Sequence, residues 1–484
     1  MSIDLNTLTI KKAHEALTKG EYSALELAEA YLAEIEKKNK DLNAYLEVFD
    51  DVREQAKKAD EILLAGKGSV MTGIPIALKD NILLKGKRVS ASSKILQGYV
   101  APYEGMAISK LRAAGTVFLG RTNMDEFAMG SSTETSAFGP TRNPFDTSRV
   151  SGGSSGGAAA AVGASLALAA LGTDTAGSVR QPAAFCGVVG SKPTYGTISR
   201  HGIIAMGSSL DIIGPITKTV EDSELLFDAI RGKDPYDSTS IELKIRNSKF
   251  EIRNLRIGVP RNFLEMKGID ADVLENFNGS IKKLQKLGYA IQDIALPTIA
   301  HSLAVYYIVM PAELSTNLSR FDGVKYGFHK DTESLLSDYM ETRAEGFGRE
   351  ARRRLLLGAY VLSSGYYDAY YRKAISVRTM IEQEFIEAFK GVDIIAIPTT
   401  PTPAFKLGEK TQDPLSMYLA DIFTVPANIG AIPALTIPSG FALRDGNSST
   451  GLGQVKLPLG FQMMAGYGQD RLLFLLGKKF ESPV

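Results

Sequence analysis

A chain of 484 residues can bury a large core, and 55 Lys+Arg against 54 Asp+Glu leave a formal charge of +1, without the basic excess needed to bind nucleic acid by phosphate neutralisation alone. The single cysteine, Cys186, excludes an intramolecular disulfide framework and a cysteine-rich metal site. The N-terminal segment lacks the apolar core of a signal peptide, and the most apolar stretch, 158–172, is alanine-dominated and too short to span a bilayer, so the expectation is a cytoplasmic protein without a membrane partner.

The first seventy residues read as helical. In "SALELAEAYLAEIEKKN", Ser23 and Glu26 stand in capping-box spacing, and apolar residues at 25, 28, 32 and 35 mark one face. Short apolar runs punctuated by Gly and Pro follow: "IPIAL" (74–78), "TVFLG" (116–120), "RIGVP" (256–260), "DIIAIP" (393–398) and "ALTIP" (434–438). Separated by helical stretches, they predict an α/β fold, a mostly parallel or mixed sheet covered by helices on both faces. The alanine-rich stretch 158–172 predicts a small-residue helix packed closely on that sheet. Residues 230–250 are polar and turn-rich and suit a surface connection; 330–390 read as long helices rich in Tyr and Arg; "RDGNSSTGLGQ" (444–454) reads as an exposed loop.

"SGGSSGG" (151–157) taken alone reads as a linker or turn, yet it runs straight into the alanine helix, which a flexible linker seldom does. No lysine follows Gly156 or Gly157, so it is not a phosphate-binding loop of the G-x-x-x-x-G-K-[ST] kind, and G-x-G-x-x-G is absent. The remaining reading is catalysis. None of the four histidines (14, 201, 301, 329) sits in a recognisable Ser-His-Asp context, so a serine nucleophile would need another base, and lysine is the available substitute. Lys79 closes the predicted strand "GIPIALK", although a lone lysine is ordinarily a solvated or paired charge. Ser178 follows a tight Thr-Ala-Gly turn in "LGTDTAGSVRQPAAFCG", at a strand-to-helix junction where backbone N–H groups can converge on an oxyanion.

The blocks "GIPIALKD", "GGSSGG", "GTDTAGSVRQPA" and "GVVGSKPTYG", with 24 residues from Ser154 to Ser178, resemble the amidase signature family. Three further blocks, 306–327, 345–374 and 398–438, are similar to the branch formed by the A subunits of glutamyl-tRNA(Gln) amidotransferases. The resemblance spans nearly the whole chain. Ala176 departs from it, standing where a glycine is usual in the oxyanion turn, as does Ser191, where leucine is common.

The resemblance implies an α/β/α sandwich with a large mixed sheet, one domain over 1–484 made of a helical segment (1–70), a catalytic core (71–230) and a substrate-pocket part (250–484). It also implies a Ser-Ser-Lys triad: Ser178 as nucleophile, Ser154 as relay, preceded by a cis peptide bond, and Lys79 as base. The oxyanion donors would be the amides of Thr175, Ala176, Gly177 and Ser178. Glutamine is the implied substrate, its α-carboxylate and α-ammonium met by Arg354 and Asp421 with Tyr306 alongside; Arg352 and Arg353 compete with Arg354. The implied partners are subunits B and C of a heterotrimer, with mischarged Glu-tRNA(Gln) or Asp-tRNA(Asn) held mainly by the partner. No cofactor or metal is expected in this chain, ATP and Mg²⁺ being used by the partner. The rival readings are a stand-alone amidase acting on other carboxamides and a non-catalytic scaffold whose glycine loop is a packing turn.

Overall fold

A computed structural model describes residues 3–243, 254–446 and 453–482. Eleven strands form one sheet: β1 (Tyr45–Val48), β2 (Pro75–Lys79), β3 (Val117–Thr122), β4 (Ala169–Asp174), β5 (Val189–Lys192), β6 (Ile212–Thr217), β7 (Arg256–Pro260), β8 (Ala290–Ile294), β9 (Ile394–Pro398), β10 (Ala434–Asp445) and β11 (Gln454–Ala465). Their order across the sheet is β1-β3-β2-β4-β6-β5-β10-β11-β9-β7-β8. β2 runs parallel to β3 and β4, and β7 parallel to β8 and β9, while the other neighbours are antiparallel, so the sheet is mixed. Every residue of β2, β4, β6 and β9 is buried, which requires helical cover on both faces, and these strands accordingly read as mainly apolar runs, with polar residues only at their C-terminal ends (Lys79, Thr173, Asp174 and Thr217).

All five expected strands are present, β10 extending well past "ALTIP". The helix Ala24–Leu42 starts at the expected capping box, with Ser23 Oγ accepting from the Glu26 amide and Glu26 reaching back to the Ser23 amide. Its buried stripe is Ala24, Leu27, Ala28, Tyr31 and Ile35, however, rotated from the 25/28/32/35 face, because Leu25 and Leu32 flank the core without entering it. The larger difference lies in the alanine stretch. The helix occupies only Gly156–Gly163; the chain reverses through Ser165 at φ 59°, and residues 169–174 become β4, a central strand. Alanine is a poor strand former in isolation, but burial between β2 and β6 overrides that preference. Glycine at the start of the helix lets it lie close on the chain beside β1 and β3: a Cβ on Gly157 would sit 2.5 Å from the Ala44 and Asn123 carbonyl oxygens.

The expected surface connection lies partly outside the described residues. Its described part is anchored, Asp237 pairing with Arg200 and Asp234 accepting from Ser199. Residues 447–452 of the expected loop also lie outside, and β10 and β11 extend to its edges as a long antiparallel pair. Among the described residues no helix is long and apolar enough to cross a membrane.

Candidate active site

β2 delivers Lys79 into the interior with its side chain fully buried. Its Nζ donates to Ser154 Oγ at 2.7 Å and to the Thr173 carbonyl at 3.2 Å. Burial disfavours the ammonium form and brings the lysine down to about 7, against the opposing pull of the Asp125, Asp174 and Asp211 charges. A lysine so placed is substantially neutral near neutral pH and can accept a proton.

Ser154 lies on the Gly-Ser segment directly after a cis Gly153–Ser154 peptide bond. The Gly153 amide donates to Gln181 Oε1 (2.9 Å), and the Ser155 amide donates to the Ser178 carbonyl (3.0 Å). "SGGSSGG" is thus a buried, hydrogen-bonded loop rather than a linker, its Ser154 side chain meeting Lys79 and its Ser155 amide meeting the Ser178 turn.

The turn from Asp174 to Ser178 links β4 to the helix Arg180–Phe185. Asp174 shapes it by accepting from the Gly177 amide (2.8 Å) and the Val179 amide (3.2 Å). Burial alone would raise its carboxyl, but the Arg180 guanidinium, 3.0 Å away, holds it down to about 2. Gly177 therefore differs from the sequence expectation: its N–H is committed to Asp174. Among the described residues the amides of Thr175, Ala176 and Ser178 have no hydrogen-bond partner. Gly177 serves the turn through its backbone instead, at φ 130°, where a Cβ would collide with Thr424 Oγ1 at 2.1 Å. Ala176 is not among the residues with positive φ, so alanine fits there without strain. Thr424 Oγ1 donates to the Ala176 carbonyl (2.6 Å), and Thr175 Oγ1 donates to Asp211 (2.7 Å), clamping the turn from two sides.

A cavity of about 340 Å³ is walled by Ser131, Glu350, Arg354 and Tyr418, among others. Of the three candidate arginines on the helix Arg349–Leu362, Arg352 is exposed, Arg353 half-buried and Arg354 buried. Arg354 lies over the rings of Tyr307 and Tyr418, 5.2 and 5.3 Å from their centroids, and Tyr306 is buried beside it. Asp421 is buried too, accepting from Ser131 Oγ at 2.5 Å. Burial raises its carboxyl to about 7, the Ser131 hydrogen bond and the Arg354 charge opposing.

Sequence reasoning missed the residues that join these parts. Gln181 accepts from Gly153 and donates to the Ser131 carbonyl (2.9 Å), tying the Ser154 loop to the cavity wall. Arg180 spans Asp174, Gln462 (2.6 Å), Asn428 (2.5 Å) and the Thr424 carbonyl (2.8 Å). Both stand in "SVRQPA" immediately after Ser178, the one signal that could have drawn attention to them.

The chain matches the Amidase family over residues 26–474. It is 47% identical to the A subunit of glutamyl-tRNA(Gln) amidotransferase from Carboxydothermus hydrogenoformans, across 99% of this chain and 98% of that one. Among solved structures it is similar to the A subunit of the Thermotoga maritima glutamyl-tRNA(Gln) amidotransferase, at TM-score 0.80 and 41% identity, covering 98% of this chain and 94% of the other. A 6-aminohexanoate cyclic dimer hydrolase in complex with its substrate superposes with TM-score 0.83 at 26% identity, covering 99% and 97%. Fold, motif order and these full-length matches agree: the chain belongs to the amidase family.

Proposed function

We propose that this chain is the glutaminase subunit of a tRNA-dependent amidotransferase, hydrolysing glutamine through Lys79, Ser154 and Ser178. The observation that carries the reading is the buried Lys79 hydrogen-bonded to Ser154, on a loop that Gln181 ties to Ser131, which lines a cavity together with Arg354 and donates to Asp421. A cation and a carboxylate together suit a free α-amino acid, whose carboxylate pairs with the guanidinium.

In this mechanism neutral Lys79 takes the proton of Ser154 as Ser154 takes that of Ser178, and Ser178 Oγ bonds to the side-chain carboxamide carbon of glutamine. The amides of Thr175, Ala176 and Ser178 stabilise the oxyanion, each such donor contributing about 3 kcal/mol to lowering the barrier. The C–N bond breaks, the relayed proton leaves with the nitrogen as ammonia, and water cleaves the γ-glutamyl ester to free glutamate and Ser178. Ammonia then passes to a partner that amidates Glu-tRNA(Gln) or Asp-tRNA(Asn), in a heterotrimer with subunits B and C. ATP and Mg²⁺ act in the partner, and the residues here carry out the hydrolysis by proton transfer and hydrogen bonding.

The pH dependence follows from two groups. Lys79 is active when deprotonated, and Asp421 holds an ammonium when ionised; both titrate near 7, so kcat/KM for glutamine rises with pH through about 7 and levels above it. With the substrate's ammonium bound, Asp421 stays ionised, so kcat follows Lys79 alone. Steady-state rates from about pH 5.5 to 9 check this; a kcat falling as pH rises through 7 contradicts it.

Arg354→Gln separates this reading from a stand-alone amidase of neutral carboxamides. Loss of a buried charged partner predicts a fall of about 10²-fold in kcat/KM for glutamine, carried mainly by KM. An unchanged KM for glutamine would favour the other amidase.

A further inference from the structure

Arg354 and Asp421 belong to different segments: the helix Arg349–Leu362 and the short helical run that ends at Asp421. No ion pair joins them among the described residues, and each meets a different end of an amino acid in the proposed complex. Something must hold the two at a fixed separation.

Glu350 is built to do so. One turn before Arg354, it accepts from Arg354 Nε at 2.7 Å. The same oxygen accepts from the Tyr418 hydroxyl at 2.9 Å, and Tyr418 stands three residues before Asp421. Its second oxygen takes Arg353 Nη1 at 2.5 Å. The Tyr418 ring also stacks on Tyr307, with centroids 3.9 Å apart, and lies on the Arg354 guanidinium, closing the layer from the other side. Glu350 takes the Nε hydrogen, so among the described residues no protein carboxylate pairs with the Nη edge, the edge that meets a carboxylate in the forked geometry guanidinium favours.

We infer that Glu350 is a positioning residue that fixes the spacing between Arg354 and Asp421, and thereby the selectivity for an amide bearing both an α-carboxylate and an α-ammonium. It rests on the glutaminase reading and goes beyond it, since Glu350 touches neither the triad nor the oxyanion turn. A role confined to folding would lower the amount of active protein and so the apparent kcat; a positioning role appears in KM.

The test uses Glu350→Gln and Tyr418→Phe in the full chain with its partner subunits, measuring ammonia release from glutamine and inhibition by L-glutamate, which carries the same α-groups. In Glu350→Gln, KM for glutamine and the inhibition constant of glutamate rise together by about tenfold or more while kcat changes less than about threefold, the scale of losing charge-assisted hydrogen bonds. Tyr418→Phe, which removes one hydrogen bond and no charge, moves both constants the same way by a smaller factor, and stands as the readout should Glu350→Gln not fold. Unmoved constants in both variants, or a fall in kcat at constant KM, overturn the assignment of Glu350 alone. No glutamine turnover by the wild-type complex overturns the glutaminase reading and this inference with it.

Discussion

Ser178→Ala will reduce ammonia release from glutamine by about 10⁴-fold or more, the loss expected when a nucleophile that acts as a unit with its base is removed. The change leaves the fold intact, because Ser178 is held through its backbone carbonyl, which accepts from the Ser155 amide whatever the side chain. Lys79→Met extends the same prediction. It keeps a long side chain in the fully buried slot and removes only the proton acceptor, so activity falls by about 10² to 10⁴-fold while the protein folds as before or more stably, a buried amine being costly to retain. Initial rates of ammonia release, with thermal melts on the same preparations, test both halves. Activity within about tenfold of wild type in either variant contradicts the assigned role.

Arg180→Met carries the largest expected effect on stability. Asp174 and Arg180 are both fully buried and paired, and Asp174 accepts in addition from the Gly177 and Val179 amides and from Asn428 Nδ2 (2.9 Å). Removing the guanidinium leaves a buried carboxylate without its cation and frees Gln462, Asn428 and the Thr424 carbonyl from their donor. The expected cost is about 3 to 5 kcal/mol, read as a lower denaturation midpoint at unchanged slope. Asp174→Asn combined with Arg180→Met recovers part of the loss, because no unpaired charge remains, whereas Asp174→Asn alone does not. The sign of the pH effect is fixed by Asp174: its folded value lies below the ordinary carboxylate range, so its contribution is present above about pH 4 and is lost as pH falls toward 2.

What could be read from sequence was local. The strand ending in Lys79, the capping box at Ser23 and the turn before Ser178 are short-range patterns, and all three stand in the structure where the pattern placed them. The alanine stretch misled because alanine favours helix intrinsically, whereas burial of residues 169–174 between two strands is decided by neighbours about 90 residues before and 40 after. β11 was missed for a related reason: Pro458, Gly460 and Gln462 interrupt its apolar pattern, and its pairing with β9 and β10 supplies what its own sequence does not signal. In the candidate site, the chemical groups were legible and their connections were not. Ser131 with Asp421, Gln181 with Gly153, and Glu350 with Tyr418 are contacts between segments from 28 to 290 residues apart, and nothing in a local pattern distinguishes such a serine, glutamine or glutamate from a solvated one.

The proposed chemistry turns on the identity of the atom that glutamine acylates. Glutamine labelled in its carbon chain, mixed with the wild-type complex and quenched in acid during turnover, can be followed by peptide mapping to the residue that carries the γ-glutamyl group. Nucleophilic attack by Ser178 predicts the label on that residue; a label on Ser154, or on any other residue, contradicts it.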